Sequence, residues 1–316
     1  MSKAFTPRVI AALAPRIREL AHGLLTAAPE GNQAGDGREI ELVSQLAYPL
    51  PVRIISELLG VPATDHARFA GWSARLAHSL QPQFGPADPG EAAAVQAARL
   101  EFADYFRELI AIRRTRPAPD LLSQLIRAED DGQYLSEQEL IGTCVLLLVE
   151  GHETTVSLIS NAVLALLRHQ DQLAVLRANP ELAAAAVEET LRYDAPVQFT
   201  GRVARGGMQI GPVSAPDGAV LMLLLAATGR DPAVYADPDR FDIRRTAAGG
   251  AGHLAFAAGP HFCLGAPLAR LEATIALQTF VTRVAGPELD EAGLAYKPNV
   301  NLRGPERLPV RFTSIR

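Results

Sequence analysis

The stretch Phe256-Ala257-Ala258-Gly259-Pro260-His261-Phe262-Cys263-Leu264-Gly265 decides how this chain is read. A lone cysteine stands between two glycines, and the alanine-rich run Ala266 to Leu277 behind it is helical in character. Glycines on both sides suit a tight turn that brings backbone N–H groups to the sulfur. Those donors, with the start of the following helix, favour a thiolate over a thiol. A thiolate held in this way is a metal ligand. The ordinary fate of an isolated Cys is burial in a core. The spacing argues otherwise here, because Phe256, Gly259, His261, Cys263 and Gly265 recur within ten positions as a set.

Upstream, Leu135-Ser136-Glu137-Gln138-Glu139 carries a capping box, Ser136 with Glu139, and predicts a long helix reaching about His169. Its middle breaks an apolar run. Val145 to Val149 leads into Glu150-Gly151-His152-Glu153-Thr154-Thr155 before Val156, Leu158 and Ile159 resume. Acid and hydroxyl groups inside an apolar helix are costly without polar partners or water. Gly151 leaves room beside the helix, and a local loosening there would admit water. An acid–alcohol pair in this block could then pass protons. His152 has no second ligand beside it and reads as a packing or hydrogen-bonding residue. Glu150 reads as a solvent-side or salt-bridging acid, and Cys144 as core.

Other elements follow from periodicity and breakers. Thr6-Pro7 opens a helical pattern that Pro15 divides into a short and a longer helix. Leu50-Pro51 starts another, ending at Gly60-Val61-Pro62. Pro62 to Leu80 and Glu91 to Arg114 are helices flanking a Pro/Gly-rich loop, Gln81 to Gly90. Pro180 to Tyr193 is a helix carrying Glu189 and Arg192 on one face, a spacing that alone signifies only a weak surface pair. Val197 to Val203 alternates like a strand. Ala219 to Leu225 reads as a buried strand after the turn Pro216-Asp217-Gly218. Gly249 to Gly252 is a flexible glycine run, and Gly286 to Arg316 alternates turns with short strands.

Composition sets the outer bounds. The 316 residues suffice for one large core, and 48% hydrophobic with 21% charged residues is ordinary for a globular protein. The net charge of −5 and the presence of only two lysines, Lys3 and Lys297, give no basic patch for nucleic acid or membrane. Two distant cysteines without a CxxC pair suit a reducing compartment. The longest apolar run, Ala219 to Ala227, is well short of the roughly 20 residues of a spanning helix. The start lacks a signal-peptide core. A cytoplasmic, soluble protein is the expectation.

Four ordered elements carry a resemblance: the acid–Thr helix, the Glu189-x-x-Arg192 pair, the Pro238-Asp239-Arg240-Phe241 loop and the cysteine loop. The chain resembles the cytochrome P-450 (haem-thiolate monooxygenase) family, soluble bacterial type, over essentially its whole length. The resemblance implies a mainly α single domain, residues 1–316, with small β-sheets. It implies haem b with Cys263 as axial iron ligand, His261 and Arg202 at the propionates, and Phe256 shielding the sulfur, with Gly259 and Gly265 shaping the loop. Glu153 and Thr154 become the catalytic proton-delivery pair. Glu189 and Arg192 become a buried scaffold pair with Arg240 as third member, and Val197 and Phe199 face the substrate pocket. The helices around Gln81 to Gly90 become a lid. Two departures stand out, Ala257 where the family often has Gly, and Glu150 where it usually has Ala or Gly.

The activity so implied is insertion of one oxygen atom from O2 into a small organic substrate. Electrons would come from a reduced nicotinamide cofactor through a ferredoxin-type or flavin partner, since no nucleotide-binding fingerprint lies in the chain. Ser2 to Arg8 resembles the segment just after the family's propionate-binding helix. The resemblance therefore expects N-terminal strands, two or three helices and a pocket loop ahead of Met1, about a fifth of a family-sized domain. A start placed too late and a genuine truncation both account for this, and the intact sites favour the first. The rival expectation is an inactive remnant with weak or no haem binding. Peroxide-driven oxidation or coupling ranks lower, because Glu153-Thr154 is intact.

Overall fold

The computed structural model of the chain describes residues 7–27, 38–79, 88–130, 133–245 and 252–316. Thr6, residues 81–87 of the Gln81 to Gly90 loop and residues 249–251 of the glycine run lie outside them. Pro7 opens α1 (Pro7–Ala11), and Pro15 occupies the first turn of α2 (Ala14–Thr26), where its missing N–H is no loss. A strand, β1 (Arg38–Glu41), leads through a wide helical turn, Val43–Ala47, into α3 (Pro49–Leu58). The chain leaves α3 at Gly60 with φ 74°, a left-handed exit that suits glycine.

Next come α4 (His66–Ser79) and α5 (Pro89–Thr115), the two helices expected on either side of the 81–90 loop. Phe69, Trp72, Phe102, Tyr105 and Phe106 lock them together, with ring centroids between 4.6 and 5.9 Å apart. After α6 (Leu121–Arg127) and a small hairpin of β2 (Glu129–Asp130) and β3 (Gln133–Tyr134), the capping box opens α7 (Glu137–Arg168). Its two reciprocal bonds are present. Ser136 N–H donates to Glu139 Oε2 at 2.8 Å, and Glu139 N–H donates to Ser136 Oγ at 3.3 Å. Residues 155–167 of α7 are buried without a break, because α7 is packed against α3, α4 and α5 and against the later helices α9 (Ala183–Tyr193) and α11 (Ala266–Arg283).

Between them lie α8 (Gln170–Ala178), which the sequence reading missed, then β4 (Thr200–Val203), β5 (Met208–Ile210), β6 (Val213–Ala215), β7 (Val220–Leu223) and α10 (Leu225–Thr228). Beyond α11 the chain forms β8 (Val284–Ala285), β9 (Glu288–Leu289), β10 (Ala295–Tyr296), β11 (Pro305–Arg307), β12 (Pro309–Phe312) and β13 (Ser314–Ile315). β12 lies between β1 and β9 in an antiparallel sheet, and its Val310 faces Ile40, both buried. The architecture is mainly helical with small sheets, as expected. The strand at 219–225 is a correction. Val220 of β7 is 80% exposed, because β4 is the one strand paired with β7 among the described residues and no second layer covers that face.

A buried ion pair ties α9 to the loops before the cysteine. Arg192 donates from Nε and Nη2 to the two oxygens of Glu189, both at 2.7 Å. Its remaining donors reach the carbonyls of Gly229 (2.8 Å), Pro238 (2.7 Å) and Arg240 (2.9 Å). All five guanidinium donors are therefore satisfied. Glu189 Oε1 also accepts the Asp242 N–H at 2.8 Å and Arg245 Nε at 3.2 Å. A Cβ on Gly229 would fall 2.0 Å from the Arg192 carbonyl oxygen, so only glycine fits that approach. Arg240 is corrected here. Its backbone carbonyl joins the network, but its side chain is 65% exposed, and Arg245 supplies the third charged group.

Removing one partner leaves the other as an uncompensated buried charge. Glu189→Gln and Arg192→Met are each expected to cost about 3–5 kcal/mol of unfolding free energy. Arg240→Ala is expected to stay within about 0.5 kcal/mol. Urea-unfolding midpoints of the three variants check the contrast.

Candidate active site

The cysteine loop is held by its own backbone. Cys263 N–H donates to Phe256 O at 3.0 Å, Ala257 N–H to Leu254 O at 2.8 Å, and Phe262 N–H to Gly259 O at 3.0 Å. Closing the loop so tightly forces positive φ at two positions, 72° at Gly259 and 57° at Ala257. The second is the position where glycine was expected, so Ala257 carries the strain of its Cβ. Gly265 ends the loop and precedes α11, the Ala266 N–H donates to Cys263 O at 3.3 Å, and the backbone N–H groups of Gly265 and Ala266 lower the pKa of the thiol. The sulfur is accessible, whereas Cys144 is fully buried and its thiol pushed up to about 12 by burial.

The surroundings of Cys263 act on its thiol in opposite directions. Surrounding protein raises its pKa, the two N–H groups pull it down, Glu150 raises it and Arg270 lowers it, with a net rise. Ionising this thiol fully takes another positive charge at the sulfur, and a bound metal ion supplies one. One protein ligand is what an iron already held by four porphyrin nitrogens requires. Two side chains are available for carboxylates, a guanidinium and an imidazole. Arg202 on β4 donates to Thr200 Oγ1 and to Gly201 O, and it has no carboxylate partner among the described residues. His261 is exposed and has none either. The loop residues Phe256, Gly259, His261, Cys263 and Gly265 are thus brought together, and Arg202 stands on a separate sheet. This donor set fits haem b: a lone exposed cysteine whose thiolate the adjoining backbone favours, and an uncommitted guanidinium and imidazole for the propionates.

Opposite the sulfur stands α7. Leu146, Glu150 and Thr154 are four residues apart and share a face, and the charge of Glu150 acts on Cys263. Leu146 and Glu150 are exposed on that face. Burial raises the pKa of Glu150, with His152 opposing, and no hydrogen bond or ion pair reaches its carboxylate among the described residues. Two expectations about this helix need correction. α7 runs as unbroken α-helix through Gly151, whose missing side chain faces Ile55 of α3 at 3.5 Å. The expected loosening is absent because the hydroxyls bond back along the helix. Thr154 Oγ1 donates to Glu150 O at 3.0 Å, and Thr155 Oγ1 to Gly151 O at 3.4 Å.

Glu153 is not a free acid. Lys297 Nζ donates to its Oε2 at 2.7 Å, and His152 Nε2 lies 3.2 Å from its Oε1. Burial alone would raise its pKa, but His152 and Lys297 outweigh that and hold it at about 2. At neutral pH Glu153 is therefore a carboxylate that accepts protons. His152 is buried, with Nδ1 2.7 Å from Leu148 O and its ring against Tyr48, a packing role as expected. Sequence reasoning missed Lys297, although its being one of two lysines was a signal. Val197 forms a bridge to Leu302, and Phe199 N–H donates to Asn301 Oδ1 at 3.1 Å, so the 299–302 segment fixes both.

Lys297→Met is expected to cost about 1.5–3 kcal/mol at pH 7, the range for hydrogen bonds to charged groups. The folded-state pKa of Glu153 is depressed, so the wild-type contribution is present above its ordinary value of 4.5 and is lost as pH falls toward about 2. The stability gap between variant and wild type should close across that window in chemical denaturation at stepped pH.

Comparison with known proteins agrees with this site. The family model described as Cytochrome P450 matches residues 92–284. Cytochrome P450 107B1 of Saccharopolyspora erythraea is 43% identical over 314 residues, which is 98% of this chain and 72% of that protein. Cytochrome P450 monooxygenase PikC of Streptomyces venezuelae is 43% identical over 316 residues, 99% of this chain and 72% of that protein. The crystal structure of Mycobacterium smegmatis CYP164A2 with econazole bound superposes with a TM-score of 0.87 at 46% identity, covering 98% of this chain and 75% of that one. No helix among the described residues is long and apolar enough to cross a membrane. With its thiol loop, buried Glu–Arg pair and close relatives among P450 monooxygenases, this chain belongs to the cytochrome P450 family, whose members bind haem b.

Proposed function

We propose that this chain inserts one oxygen atom from O2 into a small organic substrate, taking electrons from a separate ferredoxin-type or flavin partner. The observation that carries this reading is the exposed Cys263, whose thiolate the backbone N–H groups of Gly265 and Ala266 favour and which lies within reach of the Glu150 charge on α7. When bound, haem supplies the redox and oxygen-activating chemistry. The residues of this chain do the rest. Cys263 would hold the iron, with the backbone at Gly265 and Ala266 favouring its thiolate form. Arg202 and His261 would hold the propionates. Val197 and Phe199 line the substrate side.

Proton handling is divided between two side chains. Thr154 carries the hydroxyl nearest the cleft, anchored on the Glu150 carbonyl. Glu153, ionised and paired with Lys297, takes a proton from solvent and passes it on when the pair loosens. Glu153 is thus a relay between solvent and Thr154 in this reading, with Lys297 holding it between transfers.

The test is a carbon monoxide spectrum of the dithionite-reduced, haem-loaded chain beside Cys263→Ala. The expected result is the red-shifted Soret band of a thiolate-ligated haem, absent from the variant. A band at the position of nitrogen-ligated haem in both would overturn Cys263 as the ligand. Failure of the chain to hold haem would support the inactive-remnant alternative.

A further inference from the structure

A second ion pair reaches the cysteine loop from behind. Glu188, the residue before Glu189 on α9, accepts Arg270 Nε at 2.6 Å and Nη2 at 3.0 Å, a two-pronged clamp from α11. His253 joins the same carboxylate, its Nε2 lying 3.1 Å from Glu188 Oε2. Because His253 Nδ1 accepts the Ala255 N–H at 3.2 Å, the proton on its ring sits on Nε2 and points to Glu188. The guanidinium held by this clamp lies over the Phe256 ring, 4.5 Å from its centroid, and the His253 ring packs on the same phenyl at 6.0 Å. Phe256 in turn takes the Cys263 N–H on its carbonyl.

The cluster does little for stability. Arg270 and Glu188 are 35% and 45% exposed, and pairs of that exposure contribute about 0–1 kcal/mol. What the clamp does is place one cation at a defined position behind the ring that backs the ligand loop. Glu188 reaches the loop only through Arg270 and His253, so the guanidinium is the nearer charge. A positive charge near a thiolate holds electron density on the sulfur and weakens its donation to a bound iron. It also favours the more electron-rich, reduced state of that iron.

We propose that Glu188 and His253 position Arg270 against Phe256 so that its charge raises the reduction potential of the iron held by Cys263, making Arg270 a positioning and tuning residue and not a catalytic one. The inference rests on the haem-thiolate reading above. It assigns opposite effects to the two ends of one ion pair. Neutralising Arg270 removes the nearer cation and lowers the potential. Neutralising Glu188 leaves that cation uncompensated and raises it.

The experiment is spectroelectrochemical titration of the haem-loaded wild type, Arg270→Gln, Arg270→Lys and Glu188→Gln, each also examined by its carbon monoxide spectrum. Arg270→Gln should shift the ferrous-to-ferric ratio at fixed potential by roughly three- to tenfold toward ferric, the upper figure being about 59 mV for one electron. Arg270→Lys, which keeps the charge, should recover most of that shift, and Glu188→Gln should move the ratio toward ferrous. Equal-sign shifts in the Gln variants, or no shift in either with the thiolate band intact, would overturn the proposal. If Arg270→Gln does not load haem, the sign for Glu188→Gln decides alone: a rise supports the proposal, and no change or a fall overturns it. A wild type lacking the thiolate band would instead fail the haem-thiolate reading itself, which the carbon monoxide spectrum reports separately from the potentials.

Discussion

The buried bond between Glu189 and Arg192 is the interaction on which the rest of this molecule depends. Two opposite charges are taken almost wholly out of water, and the desolvation cost is offset only because every donor of the guanidinium finds an acceptor. Three of those acceptors are loop carbonyls, at Gly229, Pro238 and Arg240. The pair therefore specifies the path of the chain between β7 and the cysteine loop, where regular secondary structure is scarce. With that path set, the loop of Phe256 to Gly265 arrives at the start of α11 in a geometry its own backbone bonds can close.

α9 serves two ends at once. Glu189 turns inward to Arg192, while its neighbour Glu188 reaches across to Arg270 of α11 and His253 at the entrance of the cysteine loop. Successive residues on a helix point about 100° apart, so one short segment addresses the scaffold and the ligand loop together. On the other side of the cleft, α7 combines a fully buried C-terminal half with a polar stripe facing Cys263. That burial makes the helix rigid there. Apart from the exposed Glu150 carboxylate, the polar groups of its middle are satisfied along the helix itself, or by Lys297 from the chain beyond α11.

Much of this was legible in the residues, and the failures share a cause. The capping box at Ser136 and Glu139, the proline-divided first helices and the Cys263 loop are local patterns, and each formed where the pattern placed it. Arg240 was taken as the third member of the buried pair, when Arg245, five residues on, carries the charge. Neighbouring arginines on an irregular loop differ only in direction, and direction is set by the tertiary path. Lys297 lies 144 residues from Glu153, and nothing in the local sequence of either names the other. The strand at 219–225 reads as buried from its apolar run, yet burial needs a covering layer, and the run carries no information about one.

The sequence by itself determined the mainly helical architecture, the cysteine loop and the existence of a Glu–Arg pair on one helix face. Each of these is written in spacing along the chain, because hydrogen bonds and helical turns relate residues a few positions apart. The tertiary structure alone decided what those groups are worth. It turned a spacing worth a few tenths of a kcal/mol on a surface into a buried five-donor network. It made Glu153 a locked carboxylate, and it set Arg270 behind Phe256. Charge, burial and partner are properties of the space around a side chain, and distant segments fill that space only once the chain has folded.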